Sequence, residues 1–271
     1  MAFDCEFLRW LIDGWGQAPR LMVIVAHPDD ETVGAGARLD RLRDASFIFV
    51  TDGAPRNLSD ARSAGFDNRR EYASARRCEL NNVFELAGIG VGRYRCLNLV
   101  DQESAFHMAQ CTAKILEQVG DTKPEAILTH PYEGGHPDHD TTTLSVHLAC
   151  RVLRREYGWA PAIFEMSSYH NSSHGMRTAT FLPWENAPPV TALLSPQEQE
   201  FKRRLLACYV SQTRTLQAFS TEVECFRIAP DYDFTQAPHY GPLYYEHFNW
   251  GVTGERWREL ARRCLQELDR T

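Results

Sequence analysis

Short apolar runs and longer mixed segments alternate over the first 170 positions. Runs rich in β-branched and aliphatic residues fall at Leu21–Ala26, Ser46–Thr51, Arg93–Leu97, Ala126–His130 and Ala162–Met166. The segments between them, about Glu31–Asp44, Asp67–Ala87, Ser104–Val119 and Asp138–Glu156, have helical character. That alternation predicts an α/β fold, a mainly parallel sheet with helices on both faces, over about residues 20–170. The first fifteen residues are spaced as an amphipathic helix. Beyond Tyr169 the pattern fades: "NSSHG" and "PWENAPP" read as loops, "VTALL" as an edge strand, Ser195-Pro196 as the start of a helix to about Tyr209, and the tail from Gly254 as a last helix.

No repeat or linker divides the 271 residues, so a single domain is expected, with 171–271 as an irregular part completing a substrate wall. The net charge of -7 argues against gripping nucleic acid, which needs a basic surface. No apolar run reaches the ~18 residues of a membrane span, and Asp4, Glu6, Arg9 and Asp13 interrupt any export signal. Eight scattered cysteines without a CxxC pair fit reduced thiols, so a cytoplasmic location is expected.

The chemistry-bearing residues sit at two strand ends. In a doubly wound sheet the chain builds strands 1, 2 and 3 outward, then lays strand 4 beside strand 1, and ligands bind where the order reverses. "HPDDE" (His27, Pro28, Asp29, Asp30, Glu31) follows strand 1, and "HPYEGGHPDHD" (His130–Asp140) follows strand 4. Either alone reads as a helix start, because acids there accept orphan N–H groups and meet the positive end of the helix dipole. Both together at the switch point suggest a metal site. His27, Asp30 and a histidine of the second cluster would make a two-imidazole, one-carboxylate set of the catalytic zinc type, leaving Asp29 to face a bound water as general base.

"AHPDDE" with "GGHPDH" resembles the PIG-L/LmbE-type zinc-dependent de-N-acetylase family. The resemblance implies a Rossmann-like three-layer αβα fold and a deacetylase that removes the N-acetyl or N-acyl group of an N-acetylglucosamine-type conjugate by attack of metal-bound water. By position it implies His27, Asp30 and His139 as metal ligands and Asp29 as base. His136 would be acid or oxyanion partner, with Asp138 orienting it. "RRCEL" places Arg76 as a substrate-contacting arginine, Asp101 falls on a familiar acidic position, and "YVSQ" (Tyr209–Gln212) resembles a late helix signature. Tyr132 is the candidate for a further oxyanion and substrate contact.

Zinc is the expected ion, and Fe(II) or Mn(II) would accept the same donors. The expected partner is a small amino-sugar conjugate. Rival readings are a hydrolase of another N-acyl or ester group, and a non-catalytic sugar- or nucleotide-binding module. Arg76 has the alternative of a helix-face ion pair with Glu79. His130 is either a partner of the metal ligands or a strand-end histidine. The aromatic tail "YGPLYYEHFNW" (Tyr240–Trp250) could stack on sugar, but packing into a core or a homo-oligomer interface is the commoner use. "GAG" (Gly34–Gly36) lacks the third glycine of a dinucleotide fingerprint.

Overall fold

Five parallel strands are laid down first: β1 (Leu21–Val25), β2 (Ser46–Pro55), β3 (Tyr94–Asp101), β4 (Ala126–Thr129) and β5 (Ala162–Met166). A computed structural model describes residues 2–268 of the chain. The hairpin β6 (Tyr169–Ser172) and β7 (Gly175–Thr178) follows, then β8 (Val190–Leu193) and β9 (Val223–Ile228). The helices in chain order are α1 (Ala2–Asp13), α2 (Asp30–Ala35), α3 (Ser59–Ser63), α4 (Arg69–Ala87), α5 (Met108–Thr122), α6 (Pro137–Tyr157), α7 (Pro196–Leu206), α8 (Thr213–Leu216) and α9 (Gly254–Leu268).

The seven-stranded sheet runs β3-β2-β1-β4-β5-β9-β8. Val23 of β1 is in register with Phe47 of β2 on one side and Leu128 of β4 on the other, both parallel. The reversal of strand order therefore lies between β1 and β4, as the sequence predicts. β9 and β8 extend the β5 edge antiparallel.

Successive strand residues point to opposite faces, which builds the three layers. Val23, Val25, Phe47 and Phe49 pack with Phe7 and Leu11 of α1 and Leu80 and Phe84 of α4. Met22, Ile24, Ile48 and Val50 pack with Ile115 and Val119 of α5 and Val146 and Leu153 of α6 on the other face. Burial on both faces explains why β1 reads as the unbroken apolar run "LMVIV".

Three local differences from the sequence reading have physical causes. The helix expected over Glu31–Asp44 is broken into α2 and a single 3-10 turn, Gly36–Arg38. Gly34 lies so close to β5 that a Cβ there would sit 2.5 Å from the Met166 sulfur, which gives this glycine a packing role. "NSSHG" is the turn of the β6–β7 hairpin rather than a free loop. β9 is a sheet strand despite Glu224 and Arg227, because each buried charge has a partner: Lys202 at 3.0 Å for Glu224, Glu165 at 2.7 Å for Arg227.

Among the described residues no helix is long and apolar enough to cross a membrane. A third cluster, with Tyr132, Tyr245 and Trp257, packs the C-terminal segment and α9 against Leu144 and Leu148 of α6.

Candidate metal centre

The end of β1 turns sharply. Asp29 has φ 126°, a region costly for any residue with a side chain, on the order of 1–3 kcal/mol. Its neighbours hold it there. The Asp29 N–H donates to Glu31 Oε2 at 3.1 Å, and its carbonyl accepts from Thr32 and Val33 at 3.0 and 2.8 Å. Glu31 is itself fixed by the Tyr209 hydroxyl at 2.6 Å, so "YVSQ" supports the first motif. Although Asp29 occupies the cap position of α2, its side chain caps nothing; it accepts from Arg76 Nη2 at 3.0 Å instead. The helix-start reading therefore does not account for Asp29.

At the end of β4 the chain passes through Gly135, where a Cβ would lie 2.1 Å from the Tyr169 carbonyl oxygen. His136 then caps α6, its Nδ1 accepting the Asp138 N–H at 3.1 Å, with Pro137 following. His139 lies on the first turn of α6 and faces the end of β1.

Three donor groups converge across the switch point. His27 Nδ1 is 3.2 Å from Asp30 Oδ2, His139 Nε2 is 3.1 Å from Asp30 Oδ1, and the two imidazole nitrogens are 3.3 Å apart. Metal–donor bonds of about 2.0–2.1 Å in a tetrahedron place neighbouring donors roughly 3.3 Å apart; the two imidazole nitrogens have that spacing, and each has a different oxygen of Asp30 at 3.1–3.2 Å. The outer nitrogens agree with that assignment. His27 Nε2 faces Asp101 at 3.1 Å and Asp138 at 3.2 Å, and His139 Nδ1 faces Ser168 Oγ at 3.4 Å. Each ring can donate outward, leaving its inner nitrogen a lone pair for a metal.

Other histidines lie within reach, since His27, His136 and His139, and separately Asp30, His130 and His139, bring potential ligand atoms within 4.8 Å of one another. Hydrogen bonding removes the extra two. A backbone N–H can only donate, so His136 Nδ1, accepting from Asp138, leaves the proton of the neutral ring on Nε2. His130 Nε2 likewise accepts the Ala26 N–H at 3.0 Å. His130 instead stacks on His139, centroids 4.0 Å apart, and buttresses it.

The electrostatics favour positive charge at the ligand set. Burial raises the Asp30 pKa, but His139, His130 and His27 outweigh it and hold the carboxyl well below its usual range. Burial likewise opposes charge on His27, and Asp101 and Asp30 override it, raising that imidazole well above its usual value. Asp29 moves the other way: burial, against the pull of Arg76 and with the charge of Asp30 behind it, lifts it to about 6. His136 is held well below its usual value by burial and by His27, so it stays neutral with Nε2–H as a donor. Were this group the oxyanion donor of a hydrolase, His136→Ala would lower kcat by about 10²-fold to 10³-fold. Steady-state kinetics on protein with unchanged metal content checks this.

Several predicted roles shift. Asp138 orients His27 rather than His136: its Oδ2 is 3.9 Å from His136 Nδ1, and it also accepts from the Gln102 N–H at 2.6 Å and from Ser104. Asp101, 3.8 Å from His136 Nε2, is the carboxylate on that nitrogen's side. Arg76 is buried against Asp29 and also bonds the Pro28 carbonyl. Its alternative partner Glu79 is taken by Ser211, whose N–H and hydroxyl both donate at 2.7 Å.

Tyr132 is not brought to the site. It stacks on Trp257 in the third apolar cluster, and its hydroxyl donates to the Gln236 carbonyl at 2.8 Å. Tyr132→Phe should leave kcat unchanged and cost about 1 kcal/mol of stability from one lost hydrogen bond, measurable by denaturant titration. The ring beside His139 is that of Tyr169, at 5.3 Å.

A cavity of about 760 Å³ opens over the centre, and Tyr169, Phe219, Tyr244, Phe248 and Trp250 line it. The sequence reading missed Tyr169 and Phe219; the aromatic tail was the signal for the others, with packing preferred. The tail is divided: Tyr245 is in the core, Tyr244 lines the cavity, and Trp250 both packs against that core cluster and lines the cavity.

Residues 22–150 match the PIG-L family, described as GlcNAc-PI de-N-acetylase. A Bacillus subtilis (strain 168) protein named probable N-acetyl-alpha-D-glucosaminyl L-malate deacetylase 2 is 34% identical over 143 residues, 50% of this chain and 62% of the relative. A Mycolicibacterium smegmatis 1D-myo-inositol 2-acetamido-2-deoxy-alpha-D-glucopyranoside deacetylase is 25% identical over 165 residues, 53% of this chain and 57% of the relative. The chain thus spans about three fifths of the length of these relatives. Among solved structures, the A40926 pseudoaglycone deacetylase Dbv21 superposes with a TM-score of 0.57 at 17% identity, covering 78% of this chain and 97% of the other. That likeness speaks to the fold.

Proposed function

Because residues 22–150 match the PIG-L family, we propose that the protein is a zinc-dependent deacetylase, hydrolysing the N-acetyl or N-acyl amide of an N-acetylglucosamine-type conjugate. The observation that carries this reading is the convergence of His27 Nδ1, Asp30 and His139 Nε2 at 3.1–3.3 Å, with Asp29 and His136 beside them. The relatives named above act, by their names, on conjugates of this kind. Residues 171–271 supply much of the cavity lining and complete the substrate wall.

A metal held there would polarise the amide carbonyl and lower the pKa of the attacking water. Asp29 accepts the proton of that water as it attacks, while Arg76 keeps the carboxylate aimed at the cavity. The Nε2–H of His136 donates to the oxygen that gains charge in the tetrahedral state. The amine then departs with a proton. His136 holds a single proton, committed to Nε2, so Asp29 returns the one it took and both carboxylate and water are accounted for.

A non-catalytic sugar-binding module has no use for an acid–base pair beside the metal set, so turnover separates the readings. Acetate release should be measured from a panel of N-acetylglucosaminides, before and after dialysis against a chelator. We expect one equivalent of zinc, activity lost with the metal, and recovery on adding zinc back. Full activity of chelator-treated, metal-free protein, or sugar binding with no acetate from any conjugate, would sink the proposal.

A further inference from the structure

The aromatic lining forms a continuous chain between the two catalytic histidines. From His136 the ring contacts run to Trp250 at 4.7 Å, to Phe248 at 4.6 Å, to Tyr244 at 5.3 Å, to Tyr169 at 5.4 Å and back to His139 at 5.3 Å. Trp250 and Phe248 are nearly parallel, at 12°, and Phe248 keeps 41% of its surface exposed although it lines the cavity. The stacked pair begins at the reacting centre and leads outward along the cavity wall.

We infer that this wall is a stacking site for an uncharged, ring-bearing aglycone, so the substrates are conjugates in which the amino sugar carries an aryl or similarly flat group. The inference rests on the deacetylase reading, which places the amide at His27, Asp30 and His139. The sugar attached to that amide then lies by Trp250, the ring touching His136, and the next group out meets Phe248. A volume of about 760 Å³ lies high in the ~300–1,000 Å³ range of small-molecule sites, leaving space beyond one sugar ring. Charge outside the metal set does not oppose this. There, with Asp30 and Asp101 facing the imidazoles and Arg76 committed to Asp29, the lining carries Asp60 and one further arginine, Arg214.

The test uses product-like ligands, so that it does not depend on turnover. Calorimetry on the zinc-loaded protein would compare phenyl and methyl glucosaminides, both anomers of each, and the L-malate glucosaminide. The phenyl compound should bind about tenfold more tightly than the methyl one, the worth of a good aromatic contact with its buried area. Phe248→Ala and Trp250→Ala should each shrink that ratio to about twofold or less. Equal affinities for phenyl and methyl compounds, a ratio unchanged in both variants, or a malate conjugate bound more tightly than the phenyl one would overturn the inference. Acetate release from phenyl N-acetylglucosaminide is followed separately. Phenyl preference without acetate release from any conjugate refutes the deacetylase and leaves the wall standing; acetate release without phenyl preference removes the wall alone.

Discussion

Asp29→Asn is expected to lower kcat by about 10³-fold while zinc content stays at one equivalent. The amide keeps the shape of the carboxylate and an oxygen for Arg76, but it cannot take up a proton, and positioned acid–base groups contribute typically ~10²-fold to 10⁴-fold. KM should change little, because the lost interaction belongs to the transition state. Arg76 would lose its anionic partner, at 3.0 Å and buried, so a fall in stability of roughly 1–3 kcal/mol should accompany the kinetic loss. Metal analysis, steady-state kinetics and thermal denaturation of one preparation separate these effects. Turnover near the wild-type value would remove Asp29 as the base; loss of the metal would make it a ligand instead.

The parts of the fold legible in the sequence are those where local pattern and burial agree. The expected Ala162–Met166 coincides with β5 although Glu165 interrupts its apolar run, and β1 and β4 agree within one residue because strands buried on both faces are unbroken apolar runs. Ser195-Pro196 announced α7 through a capping box closed by Glu198. What stayed hidden depends on contacts distant in sequence. "VECFRI" looks too charged for a sheet until Lys202 and Glu165 are known to face Glu224 and Arg227. "NSSHG" carries turn chemistry, which suits a loop and a hairpin tip equally; only the pairing of Tyr169 with Thr178 decides.

The candidate site divides along the same line. Residue types and the switch point suggest His27, Asp30 and some histidine of the second cluster, and only the family resemblance singles out His139. Which carboxylate serves which imidazole could not be read in advance. The family resemblance pairs Asp138 with His136, yet the first turn of α6 directs its side chain toward His27 and the Gln102 N–H. Tyr132 failed for the opposite reason. It lies in the motif loop, but its ring has an apolar berth beside Trp257 and a carbonyl partner in Gln236. Tyr169 reaches His139 from the hairpin after β5, and no spacing rule connects them.

Removal of His139 is the second large effect. With His139→Ala, His27 and Asp30 are the only members of the set left, and zinc should be lost on simple dialysis, its affinity down well beyond 100-fold. Asp138→Asn gives the graded comparison. It leaves all three donors in place but weakens the acceptor that keeps His27 Nε2 protonated and Nδ1 free, a change of the kind that typically costs ~10-fold to 100-fold in metal affinity. The order should therefore be wild type, Asp138→Asn, His139→Ala, read by calorimetric titration and by metal content after dialysis. His130→Ala and His136→Ala belong in the same series, because both rings lie as near the centre as the ligands do and differ in where a backbone N–H fixes their lone pairs. Were either of them to lose zinc while His139→Ala kept it, the assignment of donors by hydrogen bonding would be wrong, and the base and oxyanion roles argued from it would have to be reassigned.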